Sequence, residues 1–172
     1  MNIEFLLLII DYFRVIKRRD FLLDWLFPLV FALIFFFINV DNNELFNKIL
    51  VLSSNALSLL GILIGFSIAV ITLLITANTK NIDEIKEVIV IRVNEYRTVS
   101  LFELMIITYS YSVIIEIILV IFNLFIPSLK LNTSAYCLTT NVIASIDILF
   151  ILHVLFVTIR NITSFYFILI KK

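Results

Sequence analysis

Two carboxylates stand in the middle of long apolar stretches: Glu116 in SYSVIIEIILVIF and Asp147 in NVIASIDILFILH. A charge at the centre of a bilayer costs at least about 2.5–3.5 kcal/mol on insertion scales, so both must face protein or water, or carry a proton. Counted inward from the helix ends at 1.5 Å per residue, Glu116 lies about 18 Å deep and Asp147 about 20 Å, which puts them at one level. Two carboxyls at one level repel when both are ionised, and an adjacent pair would share a proton. Thr108 and Ser112 precede Glu116 on the same helical face, and Thr140 precedes Asp147 by two turns. This polar track suits proton or cation handling. The competing reading is polar glue, in which the same groups satisfy one another between helices.

A second pattern is a stripe of small residues. Ser54, Ser58, Gly61, Gly65, Ala69, Thr72 and Thr76 recur every three or four positions in a segment with no charge between Lys48 and Lys80. Small residues let helix backbones approach closely in lipid, and hydroxyls add interhelical hydrogen bonds. The stripe fits a seam within one subunit, a seam between identical subunits, or a pore lining. His153, the only histidine, falls near the level of Tyr109 and Tyr111, on a different face from Asp147. A lone histidine makes no metal site within one chain, but it can meet a tyrosine hydroxyl or join a ring in an oligomer.

Other chemistries have no residues to carry them. The chain lacks a Gly-rich phosphate loop, GxSxG, HExxH and a kinase set, so neither enzyme activity nor a cofactor is expected. With a single cysteine, Cys137, there is no disulfide framework and no CxxC zinc pattern. Net charge is zero, which gives no pull toward nucleic acid.

The elements that must position these groups are membrane spans. Of the 172 residues, 62% are hydrophobic and only 15% charged, more apolar surface than a water-facing domain of this length can hide. The expected fold is an all-α integral membrane protein, a four-helix transmembrane bundle. Residues 1–20 read as an interfacial amphipathic helix, with Glu4, Asp11, Arg14 and Arg18 on one side. It lacks the positive start of a signal peptide and is read as retained. Its basic end, Lys17, Arg18 and Arg19, would contact anionic headgroups; packing of this helix on protein is the alternative.

The spans are expected at 21–40, 49–77, 101–126 and 138–160. Asp24 and Trp25 fall at the boundary of the first, with Pro28 near its first turn. Segment 78–99 reads as a cytoplasmic loop with a short helix begun by Asn81 and Glu84, although Val88 to Val93 suits a strand. Ser100 and Glu103 form a capping box opening the third span, Pro127 closes it, and 161–172 is a cytoplasmic tail. The loop over 80–97 holds four bases and four acids, a docking surface for a cytoplasmic protein or an ordinary solvated one.

The second span, LLGILIGFSIAVITLLIT, and the third, opening SLFELMIITYSYSVIIEI, resemble small bacterial membrane components of phage-defence systems, nearest the membrane subunit of the Kiwa system. The resemblance implies an oligomeric inner-membrane protein that senses infection or is opened by a cytoplasmic partner, and then alters membrane integrity or releases an effector. A small ion channel or proton-linked transporter using Glu116 and Asp147, and a non-conducting scaffold, are the alternatives. Eleven Lys and Arg fall in the N-terminal segment, the 80–97 loop and the tail, against Lys48 and Lys130 elsewhere, so both termini are expected in the cytoplasm. A cysteine placed at 41–44 should therefore react with an impermeant thiol reagent added outside the cell; reaction from the cytoplasmic side alone would reverse the topology.

Overall fold

The computed structural model describes residues 4–39, 45–77, 79–94, 97–128 and 137–170. The external loops expected at 41–44 and around Lys130, and the end at Lys171-Lys172, lie outside the described residues. Four helices are long and apolar enough to cross a membrane: α2 (Arg18–Ile38), α3 (Leu45–Thr76), α5 (Leu101–Phe125, continued by a 3-10 turn over Ile126–Ser128) and α6 (Cys137–Ile170). Smaller elements complete the order: α1 (Glu4–Val15), α4 (Lys80–Glu87), β1 (Ile89–Asn94) and β2 (Arg97–Ser100).

α5 and α6 form the centre of the bundle. Their most apolar windows are 39% buried, against 17% for α2 and 22% for α3. α2 lies along α6, and α3 lies along α5. Three apolar layers fill the space between α3, α5 and α6. Leu45, Ile49, Ile126 and Ala144 form one end, Ala56, Leu60, Leu119, Ile151 and Val154 the middle, and Val70, Leu74, Ile85, Met105 and Tyr109 the other end. The outer surface is as oily as the core. Phe37 and Ile38 are 71% and 75% exposed, and Phe31, Ile62 and Phe125 also face outward, a surface at home only among lipid tails.

α3 and α6, at 32 and 34 residues, are about 48 and 51 Å long, well beyond the roughly 30 Å of hydrocarbon. α1, α4 and the two strands form a cap on one end of the bundle, the hairpin end. α6 runs without a break from Cys137 to Ile170, so residues 161–170, expected as a tail, continue the helix of the fourth span. The expectation of a wholly helical fold is also corrected. β1 and β2 pair antiparallel with irregular register, and the Leu101 amide donates to the Val88 carbonyl at 2.8 Å, fastening the hairpin to the start of α5. Segment 78–99 thus contains both the helix and the strand that its sequence suggested, with Thr79 rather than Asn81 at the cap position of α4.

The third span begins as its sequence indicates. The Ser100 side chain accepts from the Glu103 amide at 3.2 Å, and the Glu103 carboxylate accepts from the Ser100 amide at 3.0 Å. At the N-terminus, Lys17 is extended, so α1 stops at Val15 and Arg18 belongs to α2 instead of the polar side of α1. α1 packs on protein, as its alternative reading expected. Tyr12 and Val15 are buried as it lies along α5, while Phe5, Leu7, Ile10 and Phe13 are exposed for lipid.

Candidate functional site

Pro28 sits in the interior of α2, not near its first turn. A proline has no amide hydrogen, so the carbonyl four residues earlier loses its helical partner. That carbonyl belongs to Asp24, and Nδ1 of His153 on α6 lies 2.8 Å from it. A carbonyl can only accept, so Nδ1 carries the proton, and Nε2 is left to accept from the Tyr111 hydroxyl on α5 at 2.9 Å. Of the two tyrosines at its level, Tyr111 is the one that meets His153. The imidazole is fully buried and joins α2, α5 and α6 at one point.

The Asp24 side chain completes this cluster. It is buried rather than at the membrane boundary, and its Oδ2 accepts from Nη1 of Arg160 on α6 and from the Tyr12 hydroxyl on α1 at 3.0 Å. Burial, reinforced by the Asp24 carboxylate beside it, pushes the Tyr12 phenol well above its ordinary value, so it remains a donor. The Tyr12 and Tyr111 rings stack with centroids 3.6 Å apart, and the indole of Trp25 lies 4.2 Å from the imidazole. Four helices therefore converge on Asp24. The chain charges two side chains inside an apolar assembly and matches them with each other, an arrangement in which removal of one partner costs about 3–5 kcal/mol.

Glu116 and Asp147 are both buried, but they do not form a pair. Glu116 Oε1 accepts from Thr158 at 3.5 Å, while Asp147 Oδ1 accepts from Nδ2 of Asn123 at 2.8 Å. Asn123 lies seven residues beyond Glu116 on α5, about 10 Å along the axis, so the two carboxyls occupy different levels. The equal depth expected for the pair is corrected because Thr158, two residues before Arg160, faces Glu116, and α6 continues past Arg160 to Ile170. Asn123 also ties in α3, since its carbonyl accepts from Ser53 at 2.8 Å. Thr108 and Ser112 donate back to Met105 and Tyr109 carbonyls of their own helix, at 3.1 and 2.8 Å. Their hydroxyl protons are thus engaged within α5.

The small-residue stripe is turned away from the rest of the chain. Ser58, Gly61, Gly65, Ala69 and Thr72 are all exposed, and a Cβ added at either glycine would meet nothing within 4 Å. The seam within the subunit uses the neighbouring face of α3, with Ser53, Ala56, Leu60, Ser67, Val70 and Leu74 buried, so the intrasubunit reading of the stripe is corrected. Lys17, Arg18 and Arg19 are exposed where α1 meets α2, and Arg97 of the hairpin reaches Asp11 of α1 at 3.3 Å.

Asp24, Arg160, Tyr12 and Asn123 are the polar residues that sequence reasoning left out of the site. A signal for the first two was present: one carboxylate and one base, each set into an apolar stretch close to the same end of the bundle.

The proline and histidine roles are separable by a mutant cycle. His153→Ala should destabilise the detergent-solubilised protein by about 1–3 kcal/mol, because the Asp24 carbonyl loses its donor. In a Pro28→Ala background the penalty should fall by about 1 kcal/mol or more, since an amide at position 28 can reach that carbonyl. Thermal unfolding reads the cycle, and identical penalties in the two backgrounds would refute the link.

Comparison with protein-family models, curated proteins and solved structures gives no match.

Proposed function

We propose that the chain is a bacterial inner-membrane component of an anti-phage defence system, an oligomeric sensor or membrane-perturbing effector coupled to a cytoplasmic protein partner. The observation that carries this reading is the outward stripe of α3. The interior of one subunit is packed with side chains in three layers, whereas the face best suited to close backbone approach has no partner within the chain. Assembly through that face puts any membrane perturbation at seams between copies. The resemblance of the second and third spans supplies the defence class, and the excess of bases at the hairpin end supports a cytoplasmic position for the cap.

The cap also supports coupling to a partner. Arg97 holds Asp11 on α1, and Tyr12 of the same helix holds Asp24 in the bundle. A protein that moves the hairpin therefore pulls, through α1, on the carboxylate where four helices meet. Gly61→Leu with Gly65→Leu should leave the subunit folded, since the space beside both glycines is open, yet reduce the assembly to smaller species by native mass measurement. An unchanged mass would remove the α3 seam.

Proton-linked transport is the second reading. One observation favours it: Glu116 Oε2 and Asp147 Oδ2 are buried without a hydrogen-bond partner among the described residues. The two would be successive stations on a path, since they are separated along α5. Glu116→Gln with Asp147→Asn distinguishes the readings. Depolarisation of phage-challenged cells that persists in the double variant supports the defence effector, while its loss from a folded variant supports a carboxylate pathway.

A further inference from the structure

Between the α1–α2 junction, α2, β1, α5 and α6 lies a cavity of about 540 Å³, on the hairpin side of the Asp24–Arg160 pair. Its polar lining is donor-rich. Asn161 is 3% exposed, and its Nδ2 has no acceptor among the described residues; Nη2 of Arg160 is likewise buried and without a partner, although Nη1 is held by Asp24. Two idle buried donors on adjacent residues cost free energy unless something accepts from them. Lys17 and Arg19 line the same cavity from its exposed side. Against these three cations stand two carboxylates: Asp24, matched to Arg160, and Asp20, whose nearest cation is Arg19 at 3.8 Å. The remaining walls are apolar, with Leu23, Leu104, Phe156 and Phe167 among them.

We propose that this cavity binds a phosphate group, to which Arg160 and Asn161 donate at its buried end and Lys17 and Arg19 at its mouth. A phosphate offers several acceptor oxygens and negative charge, which matches two unused buried donors in a lining with one cation more than it has carboxylates. The volume is many times the roughly 30 Å³ share of one water, so it has room for a headgroup and the start of a chain. The apolar walls beside α2 and α6 favour an anionic phospholipid as the source, and a soluble phosphate shares the same chemistry. This inference depends on the membrane setting and not on a role in defence.

The test is native mass spectrometry of the full chain released from nanodiscs of phosphatidylglycerol or of phosphatidylcholine with the same acyl chains. One phosphatidylglycerol per chain should be retained in preference to phosphatidylcholine. Asn161→Leu, and separately Lys17→Gln with Arg19→Gln, should each weaken that retention by about fivefold or more, roughly 1 kcal/mol. Arg18→Gln is the control, because Arg18 is an exposed base of the same cluster that does not line the cavity. A diffuse attraction to anionic lipid would weaken equally on loss of Arg18, and that result would overturn the site. In lipid-free detergent, a rise in unfolding temperature with inorganic phosphate over chloride at matched ionic strength, abolished by Asn161→Leu, would assign the site to a soluble phosphate. If Asn161→Leu does not fold, Lys17→Gln with Arg19→Gln against Arg18→Gln carries both arms. Absence of both a preference for phosphatidylglycerol and a phosphate-specific shift would refute the proposal.

Discussion

In hydrocarbon a polar group that is not satisfied inside the protein has no water to turn to, and in this chain that constraint is concentrated at Asp24. Proline four residues later frees its backbone carbonyl, and its side chain brings a carboxylate into the bundle. Both are answered from α6, the first by His153 and the second by Arg160, while Tyr12 and Tyr111 draw in α1 and α5. A helix as uniformly apolar as α2 has no hydrophobic reason to choose one partner over lipid. Its packing face is set by Asp24, Pro28 and Ala32, the three buried residues at four-residue spacing. At the far end of the same face, Nδ2 of Asn141 donates to the Phe36 carbonyl at 2.8 Å, so polar contacts at both ends hold α2 to α6.

The same logic distributes the other buried polar groups. Ser53, Asn123 and Asp147 join α3, α5 and α6 toward the end of the bundle opposite the hairpin, and Glu116 meets Thr158 between α5 and α6. These are separate ties across helix pairs with apolar layers between them. Leu60 and Val154, both fully buried, fill the middle of the bundle, which makes each polar cluster a local fastening. Among the described residues, the carboxylates at Asp147 and Glu116 each retain one oxygen without a hydrogen-bond partner, as does the Tyr109 hydroxyl, in contrast to Tyr111 one half-turn away.

The hairpin end has a different character. There α4, the strands and α1 pack over the ends of the long helices and carry exposed ion pairs, Lys86 with Asp83 at 2.9 Å and Arg97 with Asp11 at 3.3 Å. Exposed pairs of this kind contribute at most about 1 kcal/mol each, so the buried side chains of Ile82, Ile85 and Val99 hold the cap more firmly than its charges do. Its inner connection, from Tyr12 to Asp24, lies in a drier setting and is correspondingly stronger.

Local pattern alone determined the four apolar helices, the capping box at Ser100 and Glu103, the end of α5 before Pro127, and the mixed helix and strand character of 78–99. Each of these is written in contiguous residues, through hydrophobic length, a three-residue spacing or a backbone restriction. Tertiary structure decided which face of each helix meets which neighbour. The small-residue face of α3 looked like the inner seam and turned out to point away, because hydrophobic periodicity is faint in a helix apolar all round and cannot rank its faces. Glu116 and Asp147 looked level only while Arg160 was taken for a membrane boundary. A charge marks the edge of a span when water must solvate it, and here a carboxylate more than a hundred residues away in the chain does so instead.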